Sequence, residues 1–273
     1  MSAAATDVRP PSRRLARVTT PLWVLCLSAV VQLRSGWSPV LYVLGLVQPA
    51  TFICVTLLAR RSASDIEPSS VALGGGLVSL WGATIWSSGG ILRNERWQGT
   101  LPGIVARPTS LATVLVGKSL GSTLQSASLI AVTIWIVSAA FGDPIAVERP
   151  LPFLAALGAV FVSASLLGFL LGCLFVLTRA GARISEALMY PIFILGGLII
   201  PISLLPGWVR PLSWIVSLRW GGELLRAANA GAPQSVRAWL LLGATTLGYA
   251  LLARVAFRFV LTRVRRDGTL DLY

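Results

Sequence analysis

The chain has 273 residues, 55% of them hydrophobic and only 12% charged, with a mean hydropathy of +0.78. A soluble domain of this size cannot hide so much apolar surface, so the composition points to a polytopic membrane protein. The net charge of +13 would suggest nucleic acid in a soluble chain; here, arginine gathering at the cytoplasmic ends of spans accounts for it, and no nucleic-acid partner is expected.

Residues 1 to about 12 are small and polar and read as disordered. Arg13, Arg14 and Arg17 lead into the apolar run Pro21–Leu33, which stops at Arg34, short of spanning length. It reads as an interfacial amphipathic helix with arginines toward lipid phosphates. The rival reading is a true span with Arg34 snorkelling. Spans are expected at about Pro39–Ala59, Val71–Ile91, Leu111–Phe141, Leu151–Leu177, Ala187–Ile200 and Val236–Ala256, six in all. The fold class is therefore all-α. The N-terminus is long, arginine-rich and without an early apolar core, so no cleavable signal peptide is read there.

Between the second and third spans lies a short polar insert, Asn94-Glu95-Arg96-Trp97-Gln98-Gly99-Thr100-Leu101, closing with Ala106-Arg107-Pro108. Apolar runs flank it closely, which keeps it at the membrane surface. It reads as a short helix lying flat, with Leu101, Ile104 and Val105 on its apolar side. Gly99 loosens it and Pro108 ends it.

Farther on, Gly196-Gly197, Pro201, Pro206-Gly207 and Pro211 interrupt the fifth apolar segment, and Trp208, Trp214 and Trp220 recur just beyond. Tryptophan at this density favours the membrane–water boundary. Broken backbone at membrane depth is tolerated only where protein or a water-filled cavity surrounds it. Pro201–Ala228 is thus read as short helices that dip into the outer face and return.

The placement of arginine and lysine puts both termini and the insert on the cytoplasmic side. Arg60 and Arg61 run against this rule, beside Asp65 and Glu67.

Chemistry is nearly absent. There is no histidine, and Cys26, Cys54 and Cys173 sit inside apolar runs without metal-ligand spacing. Neither a catalytic residue nor a metal site is expected. Gly117-Lys118-Ser119 imitates the end of a P-loop, but Ala112 stands where the motif needs its first glycine. The chain is not expected to bind ATP, and Lys118 reads as a snorkelling residue. Ionisable side chains are nearly absent inside the spans, where Gln48, Gln125 and the boundary residue Glu186 stand out as exceptions, and this disfavours ion-coupled transport. Small residues four apart, Gly117/Gly121 and Gly168/Gly172, are read first as packing within the chain.

Glu95-Arg96-x-x-Gly99-Thr100-Leu101, followed by Pro108 and by Gly117-Lys118 inside the next span, resembles the permease subunit of type-two ABC exporters. That family includes daunorubicin-type drug and polysaccharide exporters. A second likeness lies far along the chain, in Pro201–Pro206 with Leu218-Arg219 or Leu225-Arg226, where the family carries a re-entrant element before its last span.

The resemblance implies that the insert, about residues 93–108, is a coupling helix docking on a separate ATPase through Glu95, Arg96, Trp97, Gly99, Thr100, Leu101, Arg107 and Pro108. It implies two ATPase copies, which would carry the ATP and Mg, and a second permease protomer, the same or homologous. The chain would then divide into a cytoplasmic arm with the interfacial helix (1–37), a six-span domain (38–258) and a cytoplasmic tail (259–273), in a bacterial inner membrane. Cargo would be amphipathic or lipid-like, with Trp81, Trp86, Met189 and Phe193 as candidates to line its path. The competing readings are a non-transporting immunity or signalling subunit and an ATP-independent channel.

Overall fold

A computed structural model describes residues 13–35, 68–97, 110–140, 147–177, 181–197 and 205–267, with isolated positions 47, 50, 51, 54 and 99. The described residues are helical, with no strand among them. In chain order they form α1 (Arg13–Ser35), α2 (Pro68–Ala83), α3 (Ile91–Trp97), α4 (Leu111–Ala140), α5 (Pro150–Leu177), α6 (Gly181–Leu195), a 3-10 helix (Arg210–Ile215), α7 (Ser217–Asn229) and α8 (Val236–Asp267).

Three windows are long and apolar enough to cross a membrane: Leu111–Ile136 in α4, Pro150–Phe175 in α5 and Val236–Thr262 in α8. They coincide with the expected third, fourth and sixth spans. The second expected span is a continuous helical path too, but a π-turn over Thr84–Ser88 interrupts it. The fifth is α6, which begins earlier than expected, carries Pro191 inside and stops at Leu195. Gly197 then takes φ = 63° in the left-handed region, where glycine ends helices. By length α6 falls short of a full crossing. The first expected span lies outside the described residues, apart from four isolated positions.

α4 and α5 are antiparallel, tied by the Ser119 hydroxyl donating to the Ser165 carbonyl at 2.7 Å. α8 runs parallel to α5: the Gln234 amide donates to the Pro152 carbonyl near one end, and Phe169 meets Phe257 with ring centroids 5.7 Å apart farther along. α8 continues well past Ala256 because Ala253, Ala256, Phe257 and Val260 keep one face buried while Arg254, Val255, Arg258 and Phe259 face outward.

α1 does not behave as a helix with a polar outer side. It runs alongside α4 in the same direction, Leu25 and Ser28 against Gly117, Ala29 and Gln32 against Gly121. A Cβ on either glycine would come within 2.5 Å of an α1 carbonyl oxygen, so these positions set how closely the helices approach. Its few polar residues in this stretch, Ser28 and Gln32, turn toward α4, while Leu22, Trp23, Leu27, Val30 and Val31 are exposed. An outward apolar face suits lipid on that side. Pro21–Arg34 is nevertheless about 21 Å long, less than the roughly 30 Å of a hydrocarbon core.

The segment before α8 climbs back up the bundle. At the end of α7, the N–H groups of Glu148 and Arg149 donate to the carbonyls of Asn229 and Ala228, level with the start of α5. At its beginning, the Ser217 N–H donates to the Tyr249 hydroxyl, which in turn donates to the Ile215 carbonyl. Tyr249 stands roughly 20 Å along α8 from Val236. α7 therefore starts at mid-height and returns to the end where α5 and α8 begin. Gly221 makes room for Val160 of α5 on the way.

Candidate coupling site

The joint between α2 and the polar insert is closely packed. The Gly89 N–H donates to the Thr84 carbonyl at 2.9 Å, closing the π-turn, and Gly89-Gly90 then turns the chain into α3. π-turns of this kind recur at functional positions. Helix α5 seats against the turn through two small residues: a Cβ on Gly168 would come within 2.4 Å of Ser88 Cβ, and one on Gly172 within 3.1 Å of the Gly89 carbonyl oxygen. Both four-residue glycine spacings thus serve packing within this chain.

Hydrogen bonds lock the same point to α4. The hydroxyls of Ser88 and Thr123 lie 2.9 Å apart, and Ser119 links onward to α5. All three side chains are buried. In an apolar bundle such bonds fix register as much as they add stability, about 0.6 kcal/mol each on average. A void at the joint, among Ser88, Ile91, Leu92, Leu115, Phe169, Gly172 and Cys173, is about 10 Å³, barely one water. It is a mechanical joint and not a ligand pocket.

One turn farther on, the Glu95 carboxylate pairs with the Lys118 ammonium of α4. The two side chains keep 7% and 16% exposure. A charge this far inside needs its partner, since an unpaired one would cost several kcal/mol, roughly. The expectation that Lys118 merely snorkels is therefore corrected: it holds the insert. Glu95 likewise faces the bundle, whereas the sequence reading had it facing an ATPase. After Trp97 the helix stops, and Gly99 sits exposed at φ = 66° in the left-handed conformation that closes helix ends. Gly99 is a terminator here. The side chains of Arg96 and Trp97, and residues Thr100, Leu101, Arg107 and Pro108, lie outside what the structure describes.

The expected path residues are not gathered around a cavity. Trp81 (1% exposed) and Phe193 (3%) belong to the packed core, and Trp86 is exposed. The Met189 side chain lies outside the described residues. A sizeable cavity lies elsewhere, a cleft of about 460 Å³ among described residues of α2, α4, α5 and α7. No signal in the sequence marked it, because its walls are ordinary span residues. No group of histidine, cysteine or acidic residues suited to a metal occurs among the described residues.

The family model described as ABC-2 type transporter matches residues 22–229. The chain belongs to the ABC-2 type transporter family. The match covers more than half of the chain and includes the joint, the Glu95–Lys118 pair and α7. Membership makes it a transporter permease, a multi-pass membrane protein, and not a catalytic domain. A search of curated proteins returns no match.

Proposed function

We propose that this ABC-2 permease is the membrane subunit of an ATP-driven exporter. It works as a dimer, with itself or a homologue, on two copies of a separate ATPase that bind ATP and Mg. The segment around residues 93–108 is the coupling element, and cargo is amphipathic or lipid-like, moved outward by alternating access in a bacterial inner membrane. Glu95 acts within this element as a positioning residue, leaving Arg96, Trp97, Gly99, Thr100, Leu101, Arg107 and Pro108 as the ATPase-facing set. α7 with the 3-10 helix is the re-entrant outer element.

The observation that carries the proposal is the clamp at the start of the insert. A push on residues beyond Trp97 enters α4 through Glu95–Lys118 and α5 through the Gly89–Gly172 contact, so two spans move with it. Helix directions agree with the orientation. α1 and α4 start, and α5 and α8 end, at the face that carries the insert, which places Arg13 and Asp267 on one side with it. Arginine is concentrated at that face.

The test is co-expression with the ABC ATPase encoded beside the chain, comparing native protein with Arg96→Ala and with Glu95→Ala/Arg96→Ala. A stable complex whose ATP hydrolysis drives cargo movement, with hydrolysis uncoupled from movement in the variants, upholds the proposal. Failure of any ATPase to bind, or binding and coupling indifferent to these residues, refutes it.

A further inference from the structure

We propose that the cleft bounded by α2, α4, α5 and α7 is a binding site for a single-chain anionic amphiphile, with the alkyl chain in the cleft and the acid group on Arg226. This is a statement about binding and does not rest on ATP-driven export.

The cleft has the volume of a ligand site, about 460 Å³ against roughly 300–1,000 Å³ for such pockets. Its shape follows the helices: along α4 the lining residues run from Leu124 to Ala139, roughly 22 Å. Such a trough suits a linear chain better than a compact ring system. Among the described lining residues only Ser128 and the Trp135 indole carry a polar group, and none is ionisable. A charged head therefore cannot rest on the lining itself and needs a cation beside it.

That cation is Arg226. It follows the lining residue Leu225, and its guanidinium folds back over Gly222 instead of reaching away. The Arg226 Nη2 atom lies 3.4 Å, and Leu77 Cδ1 3.0 Å, from the point where a Gly222 Cβ would sit. Leu77 is a wall of the cleft, and the absent side chain at Gly222 leaves a space that Leu77 borders on one side and the guanidinium on the other. Nearby Glu223 is exposed. A half-buried guanidinium gains most from a carboxylate or phosphate that meets its planar fork at close range.

The experiment uses the full-length permease without ATPase, in nanodiscs of zwitterionic phosphatidylcholine, with radiolabelled palmitate and hexadecanol as probes. Native protein should bind palmitate saturably, beyond empty nanodiscs, and more tightly than hexadecanol. Arg226→Gln should weaken palmitate about ten-fold or more while leaving hexadecanol unchanged. Ala131→Trp, which fills the cleft from an exposed position of α4, should abolish binding of both. The proposal is overturned if palmitate binding is not saturable, if Arg226→Gln binds it as the native protein does, or if Ala131→Trp leaves binding intact. It is equally overturned if native protein binds neither probe while Ala131→Trp converts a dimer to a monomer, which would make the cleft a seam between protomers.

Discussion

Breaking the Glu95–Lys118 pair from either side should cost far more than a surface ion pair, and the two sides should not cost the same. Exposed pairs contribute about 0.2–1 kcal/mol. Removing one partner of a buried pair costs about 3–5 kcal/mol, because the other charge is stranded. Lys118→Met strands a carboxylate that is 7% exposed, which belongs near the middle of that range, about 4 kcal/mol. Glu95→Gln strands an ammonium at 16% exposure on a long flexible stem that can swing toward water, so about 3 kcal/mol is expected. The double change Glu95→Gln/Lys118→Met removes both charges and should return to within about 1.5 kcal/mol of native. The assay is a double-mutant cycle on denaturant unfolding of the permease in lipid–detergent micelles, with a coupling energy of about 5–6 kcal/mol expected from these values. If each single change falls within about 0.5 kcal/mol of native and the effects simply add, the pair does not hold the insert, and the clamp reasoning fails.

Gly117→Val should separate α1 from α4, since its Cβ alone would meet the Leu25 carbonyl oxygen at 2.5 Å; a loss of about 1–3 kcal/mol is expected in the same unfolding assay. Gly243→Ala, with nothing within 4 Å of the new Cβ, should be neutral or stabilising by up to about 1 kcal/mol and serves as its control. Cys26 lies on the exposed face of α1 beside Trp23 and Leu27. In intact membranes it should resist a membrane-impermeant maleimide while reacting with a lipid-soluble one; rapid labelling by the impermeant reagent would show that this face meets water.

The long spans were legible because embedding in lipid is decided by composition summed over a window. α4 and α5 fall within one residue of the expected start at Leu111 and Leu151, with Pro150 opening α5 where proline is tolerated. The polar insert was legible for the same reason, as a break in that sum, but its helix was expected to run to Pro108 with Gly99 only loosening it, whereas Gly99 already takes a left-handed conformation. α6 was misplaced because Gly196-Gly197 ends it early, and α8 was cut short at Ala256 because the arginines beyond it hid a buried face at helical spacing.

The site was only half legible. Glu95 stood out in the sequence as part of the insert, but its direction was not readable, since the partner stands 23 residues away inside an apolar run. Lys118 in that run looks the same whether it snorkels or pairs. The outward apolar face of α1 was hidden in the same way: the sequence showed a short amphipathic helix, and only the Gly117–Gly121 contact revealed which side meets protein.

By itself, then, the sequence determined that this chain lives in a membrane, where its long helices lie, and which insert carries the family pattern. These are sums over neighbouring residues, and neighbours are what a sequence contains. The tertiary structure alone decided that Glu95 belongs to Lys118, that glycines seat α1 and α5, and that a cleft opens between four helices. In a bundle apolar on every side, hydrophobicity does not say which face meets protein and which meets lipid; close fit and the pairing of a few buried charges do.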